Sequence, residues 1–204
     1  RAGFRRLDLR SDRRALIPRP ETEGLVDLAL ARVREGVAAD VGTGTGCLAL
    51  SLRQEGGFHE VIGVDVSAEA LALAALNAAL TGLAVRWVEG DLCGPLADHS
   101  VDLLVSNPPY LTRAEYEALD GAVRAWEPAL ALASGEDGLD ATRRLLDDGR
   151  RVVRAGGWLA LELDCTRAGA AAGLARAAGW QDVRVELDLF GRERYLLARR
   201  SEKR

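Results

Sequence analysis

Five short apolar runs stand out against a polar background: residues 37–41, 61–66, 85–89, 101–105 and 158–163. Each has a glycine or serine on at least one side, the pattern of buried strands of ordinary length. Between them the apolar positions recur at helical spacing. Residues 45–54, 68–80, 138–153 and 168–178 read as helices. Ser67 is the residue type that opens such a helix, Gly156 and Gly157 break the chain before residue 158, and Gly179 stops the last helix. Residues 183–187 and 195–198 read as an antiparallel pair turning near Gly191. Strands alternating with helices predict an α/β fold, a mostly parallel sheet covered on both faces.

The first 36 residues follow a different pattern. Phe4, Leu7 and Leu9, then Leu16 and Ile17, form two short apolar segments that predict a hairpin. Seven arginines lie among them: Arg1, Arg5, Arg6, Arg10, Arg13, Arg14 and Arg19. A solvated surface is the plainer reading; contact with an acidic partner or RNA is the sharper one. In Ile17-Pro18-Arg19-Pro20-Glu21-Thr22-Glu23 the prolines fix the backbone, and the acids suit the first turn of a helix. That helix carries an apolar face from Leu25 to Val33 and ends by Gly36. Residues 1–36 are thus expected to pack as a hairpin and capping helix on a catalytic unit at 37–204. Residues 111–137 form the longest irregular connection, with a helical turn at 114–119.

Composition narrows the class. The 204 residues are 48% hydrophobic and 28% charged, which suits one ordered globular domain. No apolar run approaches the ~20 residues that span a bilayer, and no apolar secretory segment follows the first arginines. A formal charge of −4 argues against a large nucleic-acid footprint. The three cysteines, Cys47, Cys93 and Cys165, have no metal-ligand spacing and fit reduced thiols in a cytoplasmic protein. The chain begins at Arg1 and contains no methionine, which points to a segment of something longer.

Two stretches carry chemistry. In Asp40-Val41-Gly42-Thr43-Gly44-Thr45-Gly46, glycines follow a buried strand and precede a helix. Such a loop lets backbone approach a ligand, and the helix start offers free N–H groups. Asp65 ends the next strand, where doubly wound folds hold a ribose. Asp40 decides between a dinucleotide and S-adenosylmethionine: a carboxylate at the mouth repels a pyrophosphate and attracts an ammonium. Asp40, Gly42, Thr43, Gly44, Thr45, Gly46, Asp65, Val66, Asp91, Leu92 and Asn107 are the candidate cofactor-binding residues, with Asp91 accepting from the adenine amino group.

The second stretch is Asn107-Pro108-Pro109-Tyr110. The prolines keep Asn107 and Pro108 extended, so the Asn107 amide oxygen and the Pro108 carbonyl converge on one point. Two acceptors suit a planar NH2 group with its two donors, and Tyr110 offers a packing face. Asn107, Pro108 and Tyr110 are the candidate catalytic residues; with Pro109 they form the candidate substrate site. No metal is implied.

These two stretches and the Ile17–Glu23 element together resemble the peptide-chain-release-factor glutamine N5-methyltransferases. Supporting matches are Glu127-Pro128, Leu130-Ala131-Leu132, Gly135, Asp137-Gly138-Leu139 and Gly156-Gly157. The resemblance implies a Rossmann-like class I methyltransferase fold, a seven-stranded sheet with a C-terminal antiparallel pair. It implies methyl transfer from S-adenosyl-L-methionine to the glutamine of the Gly-Gly-Gln tip of class 1 release factors, with S-adenosyl-L-homocysteine as product. It also implies a helical N-terminal domain that binds the release factor and is not part of this sequence; the chain itself is expected to be a monomer. After Leu161-Glu162 the family commonly has a glycine and a nearby glutamine; here Leu163-Asp164-Cys165-Thr166 stands instead. Two other readings keep part of the chemistry. One is amino-methylation of a nucleobase or a ribosomal-protein glutamine; the other is a non-catalytic cofactor-binding scaffold. A dinucleotide-dependent oxidoreductase ranks below these.

Overall fold

A computed structural model describes residues 1–121 and 131–202. Glu127, Pro128 and Leu130 of the family pattern lie outside the described residues. The main sheet has seven strands: β3 (Glu35–Val41), β4 (Gly57–Asp65), β5 (Arg86–Glu89), β6 (Val101–Ser106), β7 (Val153–Glu162), β8 (Gln181–Leu187) and β9 (Glu193–Arg199). Their spatial order is β5-β4-β3-β6-β7-β9-β8. β3 to β7 pair in parallel, and β9 runs antiparallel to both β7 and β8. The expected architecture is present, including the C-terminal antiparallel pair.

From β3 the chain steps outward through β4 to β5. It then returns to β6 on the other side of β3 and steps outward again. The connections therefore diverge between β3 and β6, the switch point where open α/β sheets bind ligands beyond the strand ends. The glycine loop follows β3 and Asn107 follows β6, so both sit there. The Ser106 hydroxyl donates to the Val41 carbonyl at 2.6 Å, tying the two strand ends together.

Buried strands explain the sheet's position. Val37, Ala39, Val41, Leu104, Leu159 and Leu161 face one layer, shared with Leu145, Leu146, Ala171 and Ala175. Those four belong to α5 (Asp140–Val152) and α6 (Ala168–Ala177). Ala38, Val61, Leu103, Val105 and Leu197 face the other layer, shared with Leu25, Val26 and Ala29 of α1 (Thr22–Leu30) and Leu48, Ala49, Leu50 and Leu52 of α2 (Cys47–Glu55). Alternation along each strand thus feeds two cores, and each fully buried Leu contributes about 1.5–3 kcal/mol. In α3 (Ala68–Thr81) the Ser67 hydroxyl accepts from Ala70 N at 3.2 Å, the expected cap.

Several boundaries differ from expectation. The hairpin pairs β1 (Ala2–Phe4) with β2 (Leu7–Leu9), leaving Leu16 and Ile17 in a loop. Phe4, Leu7 and Leu9 already supply the buried face, sharing a core with α1 and α2. α1 stops at Leu30, since β3 starts at Glu35 and needs residues 31–34 to turn. Gly156 and Gly157 do not precede β7 but lie within it. Val101 pairs with Val153 and Leu103 with Trp158, so extra residues bulge from the strand while Gly156 N still bonds Arg200 O. The turn after Asn107-Pro108-Pro109-Tyr110 is α4 (Arg113–Ala118), opened by a Thr112–Glu115 capping box.

The N-terminal arginines are not one solvated cluster. Arg5 is well covered and bridges Glu55 at 2.6 Å, Asp27 at 2.7 Å and the Glu23 carbonyl at 3.0 Å, binding the hairpin to α1 and α2. Arg1 pairs with Asp8 and Arg14 with Asp12.

Candidate active site

A cleft of about 400 Å³ opens at the switch point, a size typical of small-molecule sites. One wall is the glycine loop. Gly42 has φ +73°, and a Cβ there would meet nothing within 4 Å, so its bare backbone faces open space. Gly46 caps α2 at φ +83°; a Cβ there would meet the Trp87 ring at 2.9 Å. Only glycine meets both demands without strain. Gly42, Thr43, Gly44 and Thr45 line the cleft, whereas Gly46 serves it from behind.

The floor is made by strand ends. Asp65 ends β4 and lines the cleft; its Oδ2 accepts from Gly44 N and its Oδ1 from Ser67 N, both at 2.9 Å. These bonds fix the carboxylate and leave each oxygen a further lone pair for a diol. Val66 beside it is 47% exposed, an apolar surface presented to the cleft. Asp91 and Leu92 line the far end, Leu92 at the strained φ of +47°. Asp91 Oδ2 accepts from Arg144 Nη2 at 2.7 Å, so its carboxylate is paired with a residue that also borders the cleft.

Asp40 is not at the mouth, as the sequence reading had it. It is fully buried beneath the loop and does not line the cleft. Its Oδ2 accepts from the Thr43 hydroxyl at 2.5 Å and from Ala49 N at 3.1 Å, which caps α2 from another strand. Its Oδ1 has no hydrogen-bond partner among the described residues. Burial pushes its pKa up to about 7, against the Thr43 and Ala49 bonds that lower it. The reason for the difference is packing: β3 is an interior strand flanked by β4 and β6, and its last polar side chain is buried under the loop. An orphaned buried carboxylate oxygen, a glycine cradle and a fixed acid at the next strand end fit a cationic nucleoside cofactor.

The Asn107-Pro108-Pro109-Tyr110 turn closes the opposite end. Asn107 and Pro109 line the cleft; Pro108 is buried and Tyr110 half-buried outside its lining. Burial raises the Tyr110 pKa to about 12, so the phenol stays protonated. Asn107 Nδ2 donates to Thr22 Oγ1 at 3.1 Å, leaving the amide oxygen as the acceptor. Thr22 heads α1, whose start is anchored where the Tyr195 hydroxyl donates to the Glu21 carbonyl. A buried acid, Glu162 at the end of β7, lies against Thr22 and Asn107. Its neighbour on the sheet is Tyr195. Burial raises its pKa to about 7, while Thr22, Arg194 and Asn107 favour its charged form.

The cleft also gathers residues that sequence reasoning missed. Arg14 to Arg19 cover it from the N-terminal side, with Ala15 packed on Ala70 and Leu73 of α3. Asp140, Ala141 and Arg144 border it from the first turns of α5, and Ser134 from the loop before it. Thr22 was visible only as a helix-start residue. Glu162 carried one signal, an acid closing an apolar strand.

Comparison with known proteins is consistent with this geometry. A family model described as the methyltransferase small domain matches residues 22–125. The release factor glutamine methyltransferase of Deinococcus radiodurans is 50% identical over 196 residues, covering 95% of this chain and 69% of that protein. The chain belongs to the release factor glutamine methyltransferase family. The member from Cereibacter sphaeroides is 47% identical, with 93% of this chain and 68% of that protein covered. A methyltransferase structure from Pyrococcus furiosus superposes with a TM-score of 0.72 at 19% identity, covering 96% of this chain and 89% of the other. It shares the class I S-adenosylmethionine-dependent methyltransferase fold. No helix among the described residues is long and apolar enough to cross a membrane.

Proposed function

We propose that this chain methylates the side-chain amide nitrogen, N5, of the glutamine in the Gly-Gly-Gln motif of class 1 peptide chain release factors. This modification acts on translation termination, a cytoplasmic process. The observation that carries the reading is the pinned Asn107 amide at the cleft, between a cofactor-sized space and an N-terminal element built on Pro18 to Glu23.

S-adenosylmethionine, when bound, supplies a sulfonium-activated methyl group. The chain supplies position. Gly42 to Thr45 give the methionine end a backbone cradle, and the buried Asp40 props that loop from below through the Thr43 hydroxyl. Asp65 takes the ribose hydroxyls; Val66, Asp91 and Leu92 enclose the adenine. The nucleophile is an amide nitrogen, whose lone pair is delocalised. The Asn107 Oδ1 and the Pro108 carbonyl accept its two hydrogens, which orients the nitrogen and favours its pyramidal form. Pro109 shapes the slot around it. This is catalysis by positioning and fixed dipoles, without a general base at the nitrogen. The hairpin and α1, residues 1–36, act as the cover of this site on the 37–204 unit. A flipped nucleobase is the weaker substrate, because Tyr110 stands outside the cleft lining and offers no stacking face there.

Incubation with methyl-labelled cofactor and a release factor tests the assignment. Label is expected on the wild-type release factor and absent when the Gly-Gly-Gln glutamine is changed to Ala. Label that persists on that variant overturns the substrate. Asn107→Ala is expected to lose about 100- to 1000-fold in kcat. Calorimetric cofactor affinity is expected to remain close to wild type.

A further inference from the structure

Thr22 sits where two distant motifs meet. It belongs to the Pro-Arg-Pro-Glu-Thr-Glu element, yet its hydroxyl accepts from the Nδ2 of Asn107 at 3.1 Å. It is 2% exposed. A hydroxyl has one proton, and here that proton is not used toward Asn107. The acceptor beside it is Glu162, 1% exposed, with Oε2 lacking a hydrogen-bond partner among the described residues. A buried carboxylate oxygen without a bond partner is costly and calls for an explanation.

We propose that Thr22 and Glu162 are positioning residues that lock the Asn107 amide in one orientation, with Glu162 setting the direction in which the Thr22 proton points. The proposal rests on the glutamine methyltransferase reading of the site. Glutamate takes the Thr22 proton, the Thr22 oxygen takes the Asn107 N–H, and the Asn107 oxygen is turned to the substrate NH2. With Glu162 protonated, the acid becomes a donor toward the same hydroxyl. The Thr22 proton then turns toward Asn107 and meets the amide oxygen only if the amide flips. A flipped Asn107 presents hydrogens to the substrate's hydrogens, and the slot repels the amide it is built to hold.

The surroundings suit this role. Glu162 is the last residue of β7, on the same sheet edge as the Asn107 strand end. The groups that face it are Arg194, which favours the charged form, and Glu21, which opposes it. Tyr110, Tyr195 and Cys47 also feel its charge, and their own pKa values are raised to about 12, so they stay neutral near pH 7. Burial holds Glu162 near 7, so its charge changes within the working range. Glu162 does not line the cleft, so it acts through Thr22 and Asn107, both of which favour its charged form.

The test uses Thr22→Val, Thr22→Ser and Glu162→Gln in the 204-residue chain. Methyl transfer to release factor is followed from pH 5.5 to 9, with cofactor binding by calorimetry. T22V is expected to lower kcat about 10- to 100-fold with cofactor affinity unchanged. T22S, which keeps the hydroxyl, recovers most of that loss. In E162Q the acid limb of kcat near pH 7 disappears. A second readout needs no turnover: the side-chain 15N–1H2 signals of Asn107, assigned by their loss in Asn107→Asp. They are expected to shift as pH crosses 7 in the wild type and to stay fixed in E162Q. T22V turning over like wild type, or Asn107 signals that titrate equally in E162Q, overturns the proposal. Absence of transfer to release factor with Asn107 signals that behave as expected overturns the substrate reading alone.

Discussion

Asp40 shows how one buried charge couples the site to folding. Its folded pKa is raised from the ordinary 3.8 to about 7 by desolvation, and Glu162 is raised from 4.5 to about 7 in the same way. An acid whose pKa is higher folded than unfolded holds its proton more tightly in the native state. Between about pH 4 and 7 the native state therefore binds more protons, and stability falls as pH rises. These groups stabilise most below about pH 4, and their contribution is lost as pH passes 7. The melting temperature of the cofactor-free chain is expected to drop between pH 5 and 8, as read by differential scanning fluorimetry. Asp40→Asn is expected to shrink that drop, since its oxygen still accepts from Ala49 N without charge. A variant whose pH dependence matches the wild type would show that Asp40 is ionised at all these pH values.

Among the elements, the N-terminal hairpin matters because its attachment fixes the start of α1, and with it Thr22. Phe4, Leu7 and Leu9 lie in the same core as Leu25 and Leu50. Arg5 adds a polar clamp to Glu55, Asp27 and the Glu23 carbonyl. Its side chain is only 15% exposed, so removing it leaves Glu55 without a comparable partner among the described residues. Arg5→Ala is expected to cost about 1.5–3 kcal/mol in urea denaturation, the range for hydrogen bonds to charged groups. A change below about 0.5 kcal/mol would mean that the hairpin is held by its apolar face alone. The strands and the Ser67-capped helix were legible because period and cap chemistry are local. The hairpin partner was not: Leu16 and Ile17 have the composition of a strand, but Phe4 to Leu9 had already supplied the pair. β7 was misplaced at its start because paired glycines read as a break, whereas a bulge with a bond to Arg200 carries the strand through them.

At the scale of the whole molecule, the sheet order brings Asp65, Gly42 and Asn107 to one cleft. That convergence was readable, since each residue ends a strand or opens a turn in a parallel sheet. The depth of Asp40 and the Thr22–Asn107–Glu162 contacts were not, because they depend on which layer covers the central strands. The Thr22–Asn107 pair joins residues 85 positions apart. Fold, cofactor cleft and amide clamp together define a transfer from sulfonium to a planar NH2 group. The identity of that nitrogen defines the substrate. The direct measurement is tandem mass spectrometry of a release factor after incubation with the chain and S-adenosylmethionine. A single added methyl is expected on the side-chain amide of the Gly-Gly-Gln glutamine. A methyl on any other residue, or an unmodified tip peptide beside a methylated nucleic acid, would contradict it.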